Sequence, residues 1–304
     1  MSENSVDLRR SGVIAIVGRP NVGKSTLMNR ILGEKLSITS RKPQTTRHRL
    51  LGIKTVGHDQ FVYVDTPGIH ASQETAMNRY LNRAATGSME DVDLIVFVVD
   101  GEQWNDEDEA VVEQLRRQSC PVVAAVNKVD RIGDKKRLLP LMASLAERYP
   151  FTAIIPLSAL QGKGVEELEQ MLGSHLPEGF HTYEEDQITD RSERFLVAER
   201  IREKLTRQLG QELPYALTVE IEQFKEEGKM THIAAVIWVE RAGQKGIVIG
   251  KKGARLRSVG KEAREELEKL LSRKIFLQLW VKVRAGWSDD DRALQSLGYR
   301  EDRF

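Results

Sequence analysis

A single cysteine, Cys120, stands in a chain of 304 residues. That excludes an intramolecular disulfide framework and fits a reducing compartment. The residue lies just before the apolar run Pro121 to Val126, so burial is expected of it rather than reactivity. Net charge is also lacking: 46 Lys and Arg against 45 Asp and Glu leave +1, so total charge neither points to nor excludes nucleic acid, and its distribution must be read instead. Long apolar runs are absent. A typical long one, Ile233 to Val239, falls far short of the roughly 20 residues that span a bilayer. The polar N-terminus, with Glu3, Asp7, Arg9 and Arg10, is not expected to be a signal peptide. No internal repeat or low-complexity segment is present. A soluble, cytoplasmic protein of about two domains is expected.

The two halves have different grammar. From Val13 to Leu176 short apolar strands (Val13 to Val17, Phe61 to Val64, Leu94 to Val99, Val122 to Val126, Ala153 to Leu157) alternate with amphipathic stretches. Unbroken apolar runs suit strands buried on both faces of a mainly parallel sheet, so an α/β domain is expected over residues 1–176. Pro177, Gly179 and the acidic run Glu184-Glu185-Asp186 mark a linker over 177–188. Residues 189–304 then read as α-β-β-α-α-β: a helix capped by Asp190 or Ser192 with Phe195, Ala198, Ile201, Leu205 and Leu209 on one face, two β-rich stretches around Gly228, a short segment ending at Gly250, a long helix from Ala254, and a strand from Ile275 to Val283.

Chemistry enters at Gly18-Arg19-Pro20-Asn21-Val22-Gly23-Lys24-Ser25, which has the G-x-x-x-x-G-K-[ST] spacing of a phosphate-binding loop between a strand and a helix. Backbone N–H groups from Asn21 through Thr26 and the helix N-terminus would face phosphate oxygens, Lys24 would reach the outer phosphates, and Ser25 would ligate Mg²⁺. Asn127-Lys128-Val129-Asp130 follows a strand. The Asp130 carboxylate can accept from both guanine N1 and its exocyclic amine, which selects GTP and GDP over adenine nucleotides. Asp65-Thr66-Pro67-Gly68 places Asp65 near the metal and the Gly68 N–H near the γ-phosphate. Between these lies Pro43-Gln44-Thr45-Thr46-Arg47, in a polar connection from which one threonine is expected to ligate Mg²⁺. Ser158-Ala159-Leu160, after the last strand, would set the Ala159 N–H on the guanine carbonyl. The six histidines and the single cysteine show no metal-ligand spacing, leaving Mg²⁺ as the one divalent metal expected.

These motifs in this order resemble the translation-factor-related branch of small GTPases. Gln44-Thr45-Thr46-Arg47-His48-Arg49, the spacing to Asn127, and the end from Gly286-Trp287 to Leu297-Gly298-Tyr299 resemble the Era family of bacterial ribosome-assembly GTPases over essentially the whole chain. The resemblance implies Thr46, rather than Thr45, as the switch ligand of Mg²⁺. The glutamine that orients water in many Ras-like enzymes is replaced by Ile69, so intrinsic hydrolysis is expected to be slow. Family members with an apolar residue there imply a K⁺ ion held partly by the loop asparagine, here Asn21. His70 is expected to be a solvent-facing switch histidine.

Val248-Ile249-Gly250-Lys251-Lys252-Gly253 leads into a helix and resembles the G-x-x-G loop of a type II KH domain. Basic residues gather around it: Arg241, Lys245, Lys251, Lys252, Arg255, Arg257, Lys261 and Arg264, with Lys282 and Arg284 beyond. Glu262, Glu265, Glu266 and Glu268 read as a solvated face. Trp238 and Trp280 are expected in the core and Trp287 at the surface. The resemblance implies a monomer that binds the 3′ end of small-subunit (16S) ribosomal RNA and assists 30S maturation, with peripheral contact at the inner membrane. Two other readings share these features: an RNA chaperone in which nucleotide only supports folding, and a GTPase at a membrane surface, since basic helices also meet anionic lipids.

Overall fold

The apolar run Val13 to Val17 forms the end of β1 (Arg10–Val17), buried from Ile14 onward in the computed structural model of the chain. The structure describes residues 9–40, 42, 45–68, 75–210 and 213–299. Pro43, Gln44, Ile69, His70 and the N-terminal Glu3 and Asp7, on which expectations rest, lie outside the described residues. A six-stranded sheet forms in the order β2 (Leu50–Val56), β3 (Asp59–Asp65), β1, β4 (Leu94–Asp100), β5 (Val122–Asn127) and β6 (Ala153–Pro156). Only β2 runs antiparallel, against β3; the other pairings are parallel.

Helices cover both faces. Leu27 and Met28 of α1 (Lys24–Leu32) and Leu168 and Leu172 of α5 (Val165–Gly173) pack on one side. Val111, Val112 and Leu115 of α3 (Asp106–Leu115) and Leu145 of α4 (Leu138–Arg148) pack on the other. Every residue of β4 and β5 is therefore buried, the reason neither strand alternates polar and apolar positions. Strand β2 is absent from the strands expected. Its apolar run is interrupted by Gly52 and followed by Lys54 and Thr55, and its pairing depends on the tight Gly57-His58 turn into β3.

In the second half α6 (Glu193–Gln208) begins at Ser192, whose Oγ accepts from the Phe195 N–H. Strands β7 (Leu217–Glu227) and β8 (Met230–Val239) pair antiparallel, and β8 pairs parallel with β9 (Lys274–Val283). Before β9 come α7 (Ala242–Ile249) and α8 (Ala254–Leu270), so the α-β-β-α-α-β order is the one expected. Ile201 and Leu205 of α6 and Val259, Ala263 and Leu267 of α8 cover one face of this three-stranded sheet.

Two tryptophans reverse their expected places. Along β9, Ile275 and Val281 face the helices and are buried, whereas Phe276 and Trp280, on the alternate face, are 48% and 56% exposed. That strand is apolar on both faces, so sequence alone does not say which face is covered. Trp238 is half-buried, its Nε1 donating to Glu220 (2.7 Å). Trp287 is fully buried because the chain after β9 crosses back to the first half. There Trp287, Tyr299, and Ala293 and Leu294 of α9 (Asp291–Ser296) pack on Ala76, Met77, Tyr80 and Leu81 of α2 (Ala76–Gly87). Among the described residues no helix is long and apolar enough to cross a membrane.

Candidate functional site

Loops after β1, β3 and β5 meet at the C-terminal edge of the parallel strands, where open α/β sheets bind ligands. They line a cleft of about 1080 Å³ that includes Asn21, Gly23, Lys24, Ser25, Thr26, Thr46, Gly68, Asn127, Lys128, Asp130 and Ala159. Gly18, Val22, Asp65 and Ser158 are buried and are not among the residues that line it. Gly23 has φ 109°, and a Cβ there would sit 2.2 Å from Asn127 Nδ2, so only glycine fits. Lys24 is buried, and its Nζ donates to the carbonyls of Gly18 (2.7 Å) and Arg19 (2.9 Å). Burial lowers its ammonium to about 8 although Asp65 opposes the shift. An anion in the cleft would hold the charge on Lys24. The loop is braced from behind by Arg19, whose Nε donates to the buried Asp108 (2.8 Å) and whose Nη2 donates to Gln103 O (3.0 Å).

Three expected metal ligands meet. Ser25 Oγ donates to Asp65 Oδ2 at 2.7 Å and lies 2.8 Å from Thr46 Oγ1. Asp65 is fully buried, which raises its carboxyl against the lowering effect of Ser25 and Lys24. Its second oxygen, Oδ1, has no hydrogen-bond partner among the described residues. A buried acceptor left over beside two hydroxyls fits a hard, oxygen-ligated cation such as Mg²⁺.

The base side is stiffened by Asn127. Its Nδ2 donates to Val22 O (2.7 Å) and its Oδ1 accepts from the Ala159 N–H (2.9 Å), tying the loops after β1, β5 and β6 together. Lys128 Nζ donates to Asn21 O (2.7 Å) and Asp100 Oδ2 (2.6 Å). Asp130 is exposed on the cleft wall, its carboxylate open to a ligand. Asn21 is exposed with φ 64°, and no hydrogen bond of its side-chain amide is found among the described residues.

Sequence reasoning missed the far wall. Thr206 and Arg207, from α6 of the second half, line the same cleft beside Ile38, Thr39, Ser40 and Lys42. The face of α6 opposite its apolar stripe is buried too: Arg200, Arg202, Glu203 and Lys204 are all under 10% exposed. Arg202 Nη2 donates to Thr45 O, Arg47 Nη1 donates to Leu217 O (2.8 Å) and Tyr299 Oη (3.2 Å), and Lys35 Nζ donates to Glu203 (2.6 Å) and Glu266 (2.6 Å). Glu266 is thus not part of a solvated face. Lys35 and Lys204 hold its carboxyl at about 2 despite partial burial. His48 stacks on Tyr299 (4.6 Å) and meets the edge of Phe195 (5.2 Å), and burial pushes its imidazole down to about 4.

The second candidate surface is looser. Gly250 has φ 73°, and a Cβ there would meet Arg255 Cβ at 2.8 Å. Gly253 and Lys252 also have positive φ (76° and 51°), so the loop turns tightly and holds Lys251 and Lys252 exposed at its tip. Lys245 and Arg257 are exposed beside it. Arg255 is committed elsewhere, its Nη1 donating to Ile247 O (2.5 Å) and stapling α8 to α7. Further out, Lys282 pairs with Glu222 (2.7 Å) and Arg264 with Glu268 (3.6 Å), so the free positive charge concentrates at the loop.

Comparison with known proteins bears on both surfaces. A family model described as a 50S ribosome-binding GTPase matches residues 13–128, and a KH domain model matches residues 212–288. The GTPase Era of Ectopseudomonas mendocina is 59% identical over 290 residues, 95% of this chain and 97% of that protein. The GTPase Era of Azotobacter vinelandii is 56% identical over 299 residues, 98% and 99% of the two chains. A crystal structure of Era in complex with MgGDPNP and nucleotides 1506–1542 of 16S ribosomal RNA superposes with a TM-score of 0.93 at 40% identity, covering 96% of this chain and 100% of that one.

Proposed function

The chain belongs to the Era family of GTPases, and we propose that its nucleotide state controls a grip on the 3′ region of 16S ribosomal RNA during maturation of the 30S subunit. It hydrolyses GTP as that family does. In this reading Asp130 selects guanine, Ala159 and Asn127 hold the base side, and the N–H groups from Asn21 to Thr26 cradle the phosphates with Lys24. Mg²⁺ bound by Ser25, Thr46 and Asp65 supplies charge against the outer phosphates. The Gly68 N–H reaches a γ-phosphate that exists only before hydrolysis, which makes the bond a state sensor. Asn21, free at the cleft edge, is the residue proposed to help hold K⁺ where charge develops on the leaving phosphate. The RNA strand lies along Gly250 to Gly253, with Lys251, Lys252, Lys245 and Arg257 on its phosphates. Arg255 supports the loop instead. The protein works in the cytoplasm, with residues 1–176 and 189–304 as the two domains joined through 177–188.

One observation carries this reading: the segment from Thr45 to Arg47 touches both halves at once. Thr46 Oγ1 stands 2.8 Å from Ser25 Oγ in the metal corner, while its neighbours Thr45 and Arg47 bond to Arg202 and Leu217 of the second half. A ligand that moves Thr46 therefore pulls on the RNA-binding half. Cross-linking in cells, with the contacted nucleotides mapped, tests the partner; reads concentrated away from the 16S 3′ end would refute it. Exchanging Na⁺ for K⁺ in a GTPase assay is expected to raise the rate, and Asn21→Ala to abolish the increase. An unchanged rate would sink the role given to Asn21. Flotation with anionic vesicles separates membrane contact from RNA binding: competing RNA is expected to remove any retention.

A further inference from the structure

We propose that Arg207, reaching from the second domain, is a positioning residue of the nucleotide site, and that the docked second domain thereby slows nucleotide release. The inference rests on the cleft being the GTP site and adds that one wall of it is borrowed. Arg207 Nε and Nη2 both donate to Thr39 O (3.1 and 3.0 Å), and Nη2 also reaches Thr39 Oγ1 (3.1 Å) and Glu203 Oε1 (2.8 Å). Glu203 Oε1 in turn accepts from the Thr39 N–H (3.0 Å). Glu203 and Arg207 lie one turn apart on α6, so a single turn of that helix satisfies the N–H, the carbonyl and the hydroxyl of Thr39. Thr39 lines the cleft between Ile38 and Ser40.

A second clamp grips from the opposite direction. Lys42 Nζ donates to the carbonyls of Thr206, Leu209 and Gly210 at the C-terminal end of α6, where a helix leaves carbonyls unpaired and favours a cation. The wall-forming residues Thr39 and Lys42 are thus fastened across the end of α6, and Thr206 and Arg207 of that same helix turn face the cleft themselves. A wall fastened in this way must part from α6 before it swings off a bound nucleotide. Coupling is reciprocal: a partner that draws α6 away speeds release, and bound nucleotide opposes that partner by the same factor.

Stopped-flow release of fluorescent methylanthraniloyl-GDP from the full chain tests this. Arg207→Ala is expected to speed release about tenfold, the loss of a hydrogen bond to a charged donor, with association changed less than about twofold because few contacts form before docking. Arg207→Lys, which keeps one donor, should recover roughly half of that effect on a logarithmic scale. Lys42→Ala, which removes the second clamp, should speed release in the same direction and carries the test if the Arg207 variants fold poorly. Arg194→Ala, an equal loss of charge elsewhere on α6, should leave release unchanged. Release at the parent rate in both Arg207→Ala and Lys42→Ala overturns the proposal, as does an equal acceleration by Arg194→Ala. Failure of the parent chain to hold the labelled GDP would instead refute the GTP-site reading.

Discussion

The nucleotide cleft and the G-x-x-G face are both proposed to bind phosphates on glycine-rich loops, yet they are built in opposite ways. In the cleft several expected contact groups are already held: Lys24 by two carbonyls, Asn127 by Val22 and Ala159, Ser25 by Asp65 and Thr46. At the second loop Lys251 and Lys252 stand in solvent, and only the backbone turn and the Arg255 staple are fixed. A preorganised cleft gives selectivity for one small ligand, because a wrong ligand leaves buried groups unpaired. An exposed lysine loop gives affinity that salt can dissolve and that a small rotation can cover or expose. One region chooses the ligand; the other is suited to being switched.

The largest effect that would break this contrast is at the base. Asp130→Asn removes the paired acceptor and is expected to weaken GDP binding by about a thousandfold or more, read by isothermal titration. A change below about tenfold would mean that the cleft is not selective through Asp130. Next comes the joint between the regions. Trp287→Ala empties a fully buried site against α2 and should cost about 3–5 kcal/mol in urea unfolding, whereas Trp280→Ala on the open sheet face should cost under about 0.5 kcal/mol. Equal losses would refute the placement of the C-terminal segment.

His48 gives a pH signature to the same joint. Burial, chiefly, holds its imidazole near 4 against an ordinary 6.5, with Glu199 opposing and Arg202, Arg191 and Arg47 adding to the shift. Its folded value is depressed, so the unfolded chain takes up a proton first as the pH falls. The contribution is complete above pH 6.5 and is lost between 6.5 and about 4, by about 3 kcal/mol in all. His48→Phe should flatten that part of the stability profile; an unaltered slope would contradict the burial of a neutral imidazole. The smallest effect is expected at the second loop. Lys251→Ala with Lys252→Ala should weaken single-stranded RNA binding about tenfold at moderate salt and reduce the slope of log K against log salt by about 1.4. No change in that slope would mean that the tip lysines do not meet phosphate.

Reading the sequence reaches these two regions unequally. The phosphate loop, Asp65 and Asn127 can be named in advance because their chemistry demands fixed spacings at the ends of buried strands. The α-β-β-α-α-β order is readable from periodicity and turns. The joint is not. Arg200, Arg202, Glu203 and Lys204 carry the composition of a solvated helix face, and nothing local reveals that Lys35, Leu36, Thr39 and Thr45 bond to that helix. Glu266 hides for the same reason, its partner Lys35 lying 231 positions away. Trp287 and Trp280 are exchanged because period-two patterning assigns two faces to a strand without saying which one a distant segment covers.

The most direct test is the ratio of affinities for a 16S 3′-end oligonucleotide with the chain loaded with a non-hydrolysable GTP analogue or with GDP, measured for the parent and for Thr46→Ala. Coupling through the segment from Thr45 to Arg47 predicts at least about a tenfold ratio in the parent, a coupling of roughly 1.4 kcal/mol, and a ratio near 1 in the variant with GDP affinity kept. A parent ratio near 1, or an undiminished ratio in Thr46→Ala, would contradict it.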